Sequence, residues 1–237
     1  MTTTAIVTGS GTGFGLALTR ALAERGATVI AGARDAARLR AAVADLPCVR
    51  PVPGDVNDPA ARAALVAAAG GRVDLLVHNA GELGPSPLPP LAAYPADALR
   101  AVLETTLLAP LQLTQLALPA LRAAHGTVVT LSSDAAVDAY PGWGGYGAAK
   151  AALDHYAAVL GVEEPDLAVY AFDPGDMRTA MHQRAFPGED ISDRPEPAAA
   201  VPGLLRLLDT RPPSGRYRLA DLLAEPAAGD TGSAATR

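Results

Sequence analysis

The sequence predicts a single α/β domain in which helices cover both faces of a doubly wound parallel sheet. Two observations lead there. Short β-branched runs alternate with Ala- and Leu-rich stretches of helical period, the pattern of repeated βαβ units. The first run also passes straight into a glycine-rich turn, Thr8-Gly9-Ser10-Gly11-Thr12-Gly13-Phe14-Gly15, with a helical stretch behind it. A chain of 237 residues, 49% hydrophobic, is long enough to bury one sizeable core.

The elements follow in order. Ala5-Ile6-Val7-Thr8 predicts a strand over 5–8, and Gly15 opens a helix over 15–25 that Gly26 stops. Thr28-Val29-Ile30-Ala31 predicts a second strand, and Asp35 opens a helix over 35–44. A third strand is expected over 48–51, and a helix over 59–68 begins at Pro59, whose fixed φ suits a first helical position. The apolar run Leu75-Leu76-Val77-His78 is the fourth strand, and a long helix over 96–123 starts behind Pro95. A fifth strand over 127–132 leads to a helix over 144–160, a sixth over 168–172 to a helix over 197–208, and 216–219 is the seventh. No internal repeat or linker divides residues 1–224, which read as one domain. Residues 225–237 are rich in Ala, Gly, Ser and Thr without periodicity, the composition of a disordered tail.

Charge and composition exclude several classes of function. A net charge of −6 and a pI near 5.2 give no basic footprint for nucleic acid or anionic membrane. No uninterrupted apolar run approaches the ~20 residues that span a bilayer, and Met-Thr-Thr-Thr-Ala-Ile-Val is not a secretory signal, so a cytoplasmic protein is expected. Cys48 is the only cysteine, which forbids an internal disulfide, and His78, His125, His155 and His182 lack metal-ligand spacing.

Two groups of residues carry chemistry. Tyr146 and Lys150 stand four apart in Tyr-Gly-Ala-Ala-Lys, the spacing that puts both on one helix face, and Ser133 lies thirteen positions before the tyrosine. A phenol titrates near ~10, so it needs a nearby cation to exchange protons close to neutrality, and Lys150 is that cation. A strand-end hydroxyl at Ser133 suits a hydrogen bond to the same substrate oxygen. The glycine-rich turn sits at the first strand-to-helix junction, where backbone N–H groups and a helix N-terminus face an anion, so a dinucleotide pyrophosphate is expected there. Its spacing is G-x-x-x-G-x-G on Gly9, Gly13 and Gly15, with Phe14 where the last glycine of the more common fingerprint would stand.

The ordered set resembles the short-chain dehydrogenase/reductase family over nearly the whole chain. It comprises Thr8 to Gly15 after the first strand, Asp55-Val56 after the third, Asn79-Ala80-Gly81 after the fourth, Ser133 after the fifth, Tyr146-x-x-x-Lys150, and Pro174-Gly175 with Thr179 after the sixth. The resemblance implies a Rossmann fold that binds a nicotinamide dinucleotide through residues 9–15, namely Gly9, Ser10, Gly11, Thr12, Gly13, Phe14 and Gly15, and through Arg34, Asp55, Val56, Asn79, Ala80, Gly81, Tyr146, Lys150, Pro174, Gly175, Met177 and Thr179. It implies catalysis by Tyr146 as proton donor or acceptor, by Lys150 as tyrosine activator and ribose ligand, and by Ser133 polarising a carbonyl. Ser132 is then a strand-end hydroxyl outside the chemistry. Asp55 would meet the adenine amine and Thr179 the nicotinamide carboxamide.

Cofactor choice turns on Ala31-Gly32-Ala33-Arg34-Asp35. An acidic residue at the second strand's tip favours NAD(H), whereas an arginine just beyond it attracts the 2′-phosphate of NADP(H). Alignment puts Ala33 at the tip and Arg34 next, so NADP(H) is expected over NAD(H). A one- or two-residue shift would make Asp35 the ribose ligand instead.

One position departs from the family pattern. Thr106 stands where relatives carry an asparagine that helps hold a water behind the lysine. The overall expectation is a carbonyl/alcohol oxidoreductase on a small-molecule substrate, working as a reductase and assembling as a homodimer or homotetramer. The alternatives are a redox-neutral epimerase or dehydratase of the same fold, a weakly catalytic sensor or scaffold, and an NAD-dependent dehydrogenase running in the oxidative direction, which the Arg34 reading disfavours. Substrate choice is expected to lie in loops 82–91, 134–145 and 180–195, with Tyr140 and Trp143 as pocket walls and His182 a polar loop residue; the last loop reads either as a lid over the nicotinamide or as a surface loop tied by local ion pairs such as Arg194 with Asp190 or Glu189.

Overall fold

A computed structural model describes residues 3–224, so the expected tail over 225–237 lies outside the described residues. Seven parallel strands form one sheet: β1 Thr4–Thr8, β2 Thr28–Ala33, β3 Val49–Pro53, β4 Leu75–His78, β5 Thr127–Leu131, β6 Ala168–Asp173 and β7 Gly215–Arg218. Their order is β3-β2-β1-β4-β5-β6-β7. The chain winds outward to β3, returns past β1 to β4, and continues to β7. The β1/β4 junction is therefore a topological switch point, where loops diverge and leave a crevice at the strands' carboxyl ends.

The helices α1 Gly13–Glu24, α2 Ala36–Ala42, α3 Pro59–Ala68, α4 Ala96–Leu103, α5 Ala109–Ala124, α6 Gly144–Glu163, α7 Ala180–Ala185, α8 Val201–Thr210 and α9 Leu219–Leu223 supply the connections and covers. Parallel strands buried on both faces need two cores, and the sequence alternates accordingly. Val7, Val29, Val77, Val129, Tyr170 and Phe172 point to one face, under Leu18, Leu22, Leu204 and Leu207 of α1 and α8. Ile6, Ile30, Leu76, Val128 and Val169 point to the other, under Leu65, Leu113, Leu121, Ala157 and Leu160 of α3, α5 and α6.

All seven expected strands form, with ends within two residues of expectation. Three differences concern the helices. The expected helix over 96–123 is three segments, because Glu104–Leu108 is a π-helical turn between α4 and α5. Pattern reading cannot see one extra residue in a turn, and such turns are frequent at functional sites. The whole run Ala96–Ala124, 29 residues, is long and apolar enough by composition to cross a membrane, yet it lays Leu113, Ala117 and Leu121 against the sheet as a core helix. The expected 197–208 helix begins with a 3₁₀ turn, Pro197–Ala200, before α8. Finally, the segment read as a loop over 180–195 contains α7, a short helix that Thr179 caps by accepting from the His182 N–H at 3.1 Å.

Candidate active site

The glycine-rich turn is built by β1 running out at Thr8 and α1 starting at Gly13. Gly9 has φ +70°, a left-handed conformation that costs little only without a Cβ. Asn79 then pins the turn from the neighbouring strand: its Nδ2 donates to Thr8 O at 2.9 Å and to Gly9 O at 3.2 Å. Thr8 Oγ1 returns the contact by accepting from the N–H groups of Asn79 and Ala80. Thr12, at the N-cap of α1, makes no side-chain cap bond, so the first-turn N–H groups remain directed at the cleft.

Not every residue of the turn faces the cleft. Ser10 is fully buried and gives its hydroxyl to Val7 O at 2.7 Å, a structural role instead of the expected ligand contact. Phe14 lines the cleft but is mainly core, with its ring 6.1 Å from Phe172. Gly15 does not line it; a Cβ there would come within 2.4 Å of Gly9 O, so its value is close packing.

The cleft has a volume of about 1180 Å³ and runs from this turn to the Tyr146 side of the sheet. Gly9, Gly11, Thr12, Gly13, Arg34, Asp55, Val56, Asn79, Ala80 and Gly81 line it together with Tyr146, Lys150, Pro174, Met177 and Thr179. Of the remaining expected residues, Gly175, Thr106 and Ser133 are not among the lining residues: Gly175 is exposed, Ser133 half-buried and Thr106 buried, and the neighbours Thr105 and Ser132 line the cleft instead. Strand β2 ends at Ala33, so Arg34 is the first residue beyond its tip. Asp35 is occupied as the N-cap of α2, its carboxylate accepting from Arg38 N at 2.9 Å. Asp55 makes a local turn by accepting from Asn57 N, while Asp58 caps α3. The residues fit a dinucleotide: one cavity holds a concave run of glycines for a pyrophosphate, an arginine just beyond the β2 tip, and a tyrosine and lysine.

Tyr146 and Lys150 lie one turn apart on α6, where Gly145 and Gly147 let the helix pack closely on Tyr94 and on Ala135 O. Lys150 is 5% exposed, and its Nζ donates to Leu131 O at 2.5 Å and sits 5.5 Å from the Tyr146 ring centroid. Burial pulls its pKa down to about 8, against the attraction of the Asp154 and Asp173 carboxylates. Burial likewise pushes the Tyr146 phenol well above its usual value, opposed by a hydrogen bond with Ser133 and reinforced by Asp134, Asp173 and Asp154. The lowering expected from the lysine is not seen: desolvation and three carboxylates set the direction, and the one opposing influence is Ser133. Ser133 donates to Asp134 Oδ1 at 3.0 Å, and Asp134 also accepts from Tyr140 OH at 3.1 Å.

Behind the lysine is a polar network that sequence reading missed. Asp154 Oδ2 accepts from Ser132 Oγ at 2.6 Å and from Arg216 Nε at 3.0 Å. Arg216 Nη2 reaches Asp173 Oδ2 at 2.8 Å and Ser133 O at 3.0 Å. Asp154, one helical turn past Lys150, was legible from its i,i+4 spacing. Arg216 on β7 and Asp173 at the end of β6 gave no such signal, since only the sheet brings them together. Thr106 sits in the π-helical turn, 1% exposed, and its hydroxyl has no hydrogen-bond partner among the described residues.

The loops expected to choose substrate do converge. Trp143 packs edge-on against Tyr146 at 5.6 Å and against Phe186 at 5.9 Å. Helix α7 is tied to the 82–86 loop by Arg184, which donates to Gly84 O and pairs with Glu82, and by Ser86, which donates to Arg184 O. Two side-chain readings are corrected. His182 lies on α7, mostly buried against Phe186 and near Asp176, and Arg194 pairs with Asp176 and Asp193 in place of Asp190 or Glu189. Loop folding brought those aspartates closer.

Among the described residues no group of three potential metal ligands clusters. The family model for short chain dehydrogenases matches residues 3–190. L-fucose dehydrogenase of Bos taurus is 32% identical over 201 residues, 83% of this chain and 72% of its own length. A short-chain dehydrogenase structure from Streptomyces avermitilis has 29% identity and a TM-score of 0.81, covering 94% of this chain and 90% of that one. Another, from Escherichia coli CFT073 in complex with NADPH, has 28% identity and a TM-score of 0.85, covering 92% and 96%. A sheet of this order, a site built at its switch point and a family match over most of the chain have one conclusion: this chain belongs to the short-chain dehydrogenase/reductase family and has that family's oxidoreductase fold.

Proposed function

We propose that the chain is an NADP(H)-dependent oxidoreductase that interconverts a carbonyl and an alcohol, working as a ketone or aldehyde reductase. The observation that carries this reading is the shared cleft: Tyr146 and Lys150 line the same cavity as the glycine-rich turn and Arg34. A bound nicotinamide would supply and accept the hydride. Tyr146 gives its hydroxyl proton to the forming alkoxide, a transfer for which a phenol held protonated by burial is suited. Lys150 opposes the negative charge left on the phenolate and binds the ribose hydroxyls. Ser133, next to the tyrosine, orients the carbonyl oxygen.

Purified protein should bind NADPH more tightly than NADH and should consume NADPH absorbance with one or more members of a carbonyl panel. Binding with substrate conversion but no net absorbance change would favour the redox-neutral reading, and binding without conversion the sensor reading. The unpartnered Thr106 hydroxyl is the one feature that favours either. A cytoplasmic homodimer or homotetramer is part of the proposal, supported by Leu116 on α5 and Val159 and Val162 on α6, all exposed.

Arg34 and Asp35 separate the two cofactor registers. Arg34→Ala removes a charge-assisted phosphate contact of about 1.5–3 kcal/mol, so the NADPH Kd should rise about 10- to 100-fold while that for NADH holds. An equal loss for both would refute the register. Asp35→Ala should cost about 1 kcal/mol of stability through the lost α2 cap and leave the NADPH/NADH ratio unchanged, measured by thermal unfolding and titration.

A further inference from the structure

We propose that Asp154, seated by Ser132 and Arg216, is the counter-ion of Lys150 and a positioning residue of the active site, acting on the lysine through its charge from one helical turn away and not through a direct ion pair. This rests on the reading of Lys150 as an active-site group, and deepens it.

A buried ammonium needs a charged or well-aligned polar partner. Lys150 is 5% exposed, and its one hydrogen bond is to a neutral acceptor, Leu131 O. A peptide carbonyl orients the charge without neutralising it, and burying a charge is costly unless a partner is close. The groups facing Lys150 can be named element by element. On α6 they are Tyr146 one turn before and Asp154 one turn after; at the end of β6 stands Asp173; from β7 comes Arg216, whose charge is already shared between both aspartates. The π-helical turn contributes Thr105 to the same cleft, and it is uncharged.

Asp154 is built in. One carboxylate oxygen accepts from Ser132 and Arg216, which fixes its rotamer, and the other, Oδ1, is buried with no partner among the described residues. Ser132 follows Leu131, the acceptor of the lysine, so one stretch at the end of β5 holds the ammonium through its backbone and the counter-ion through its side chain. Arg216 ties the same stretch down again by donating to Ser133 O. Both aspartates act against the burial that disfavours the charged lysine. Of the two, Asp154 alone shares a helix face with it, so the geometry is independent of loop movement.

This chain supplies an unusually direct test. Lys150 is its only lysine, so protein labelled with ¹³C-lysine shows a single lysine side chain. The ¹³Cε shift followed against pH reads the Lys150 titration whether or not a substrate is known. In Asp154→Asn the midpoint should fall by about one pH unit or more, the scale of a unit charge a few ångströms away in a partly screened interior. Asp154→Glu should restore most of it. Ser132→Ala, which frees the carboxylate without removing it, should give a smaller fall and guards against an Asn variant that fails to fold. In the reductase assay, the alkaline limb of kcat should move down with the titration in Asp154→Asn. A midpoint unmoved in Asp154→Asn and Ser132→Ala overturns the proposal. So does a fall that Asp154→Glu does not reverse, because that is the mark of a packing defect. Absence of carbonyl turnover in the wild type would count against the reductase reading and leave the titration test intact.

Discussion

Tyr146→Phe should reduce turnover by at least about 10²–10⁴-fold while leaving the NADPH Kd within a small factor, as measured by steady-state kinetics beside a binding titration. The substitution removes one oxygen and keeps the ring. That ring holds the edge-on contact with Trp143 and stands over Lys150, so the helix and the cleft wall should persist. What goes is the acid. Desolvation keeps the phenol protonated across the physiological range, which makes it competent to give up a proton and makes the phenolate left behind expensive to hold. The Lys150 ammonium is the group that offsets that cost, and it is lost as pH rises through about 8. Wild-type turnover should accordingly fall on the alkaline side near that pH, while the Phe variant stays low at every pH. Retained turnover in Tyr146→Phe would remove the phenol from the mechanism and require another acid, of which Ser133 with Asp134 is the nearest pair.

How much of this was legible beforehand depended on whether the information was local. The strands were readable because β1, β4, β5 and β6 are buried on both faces and must be short, continuous and apolar. The glycine turn and the Tyr146–Lys150 pair were readable because each is a contiguous motif with a physical reason for its spacing. Other features depend on residues far apart in the chain. The spacing to Tyr146 singled out Ser133 over Ser132, and only the fold gives Ser132 its partner, Asp154. Arg216 is 62 residues from Asp154 and 43 from Asp173, so no periodicity could join them. Helix α7 was hidden because six residues are too few for an amphipathic pattern, and its stability comes from the Thr179 cap and the ties of Arg184. The sign of the Tyr146 shift was misread for the same reason: the lysine was visible in the motif, whereas burial and the surrounding aspartates were not.

Gly15→Ala should cost more than a helical Gly-to-Ala change ordinarily would, and in the opposite direction. Inside a helix alanine is the better residue by about 1 kcal/mol, so propensity alone predicts stabilisation. Here the added Cβ would lie 2.4 Å from Gly9 O and 2.3 Å from Asn79 Nδ2. Those two atoms are joined to each other by a hydrogen bond, and Asn79 also holds Thr8 O. Relief therefore requires α1 to lift away from the turn or Asn79 to leave it. Gly9 O is backbone, and Asn79 Nδ2, though a side-chain end, is held by its hydrogen bonds to Thr8 O and Gly9 O. Overpacking of this kind costs about 1–3 kcal/mol, which outweighs the propensity gain. The functional loss should be larger than the stability loss, because the N–H groups proposed to hold the pyrophosphate belong to the segment that must move. Thermal unfolding should show a lowered midpoint, and the NADPH Kd should rise by about tenfold or more, with NADH weakened by the same factor since the pyrophosphate is common to both. That equal loss distinguishes the turn from Arg34, whose removal should discriminate between the two cofactors. An alanine variant as stable as the parent with unchanged affinity would mean that the turn does not sit against Asn79 as the structure has it, and the anchoring of the glycine-rich segment by the fourth strand would have to be abandoned.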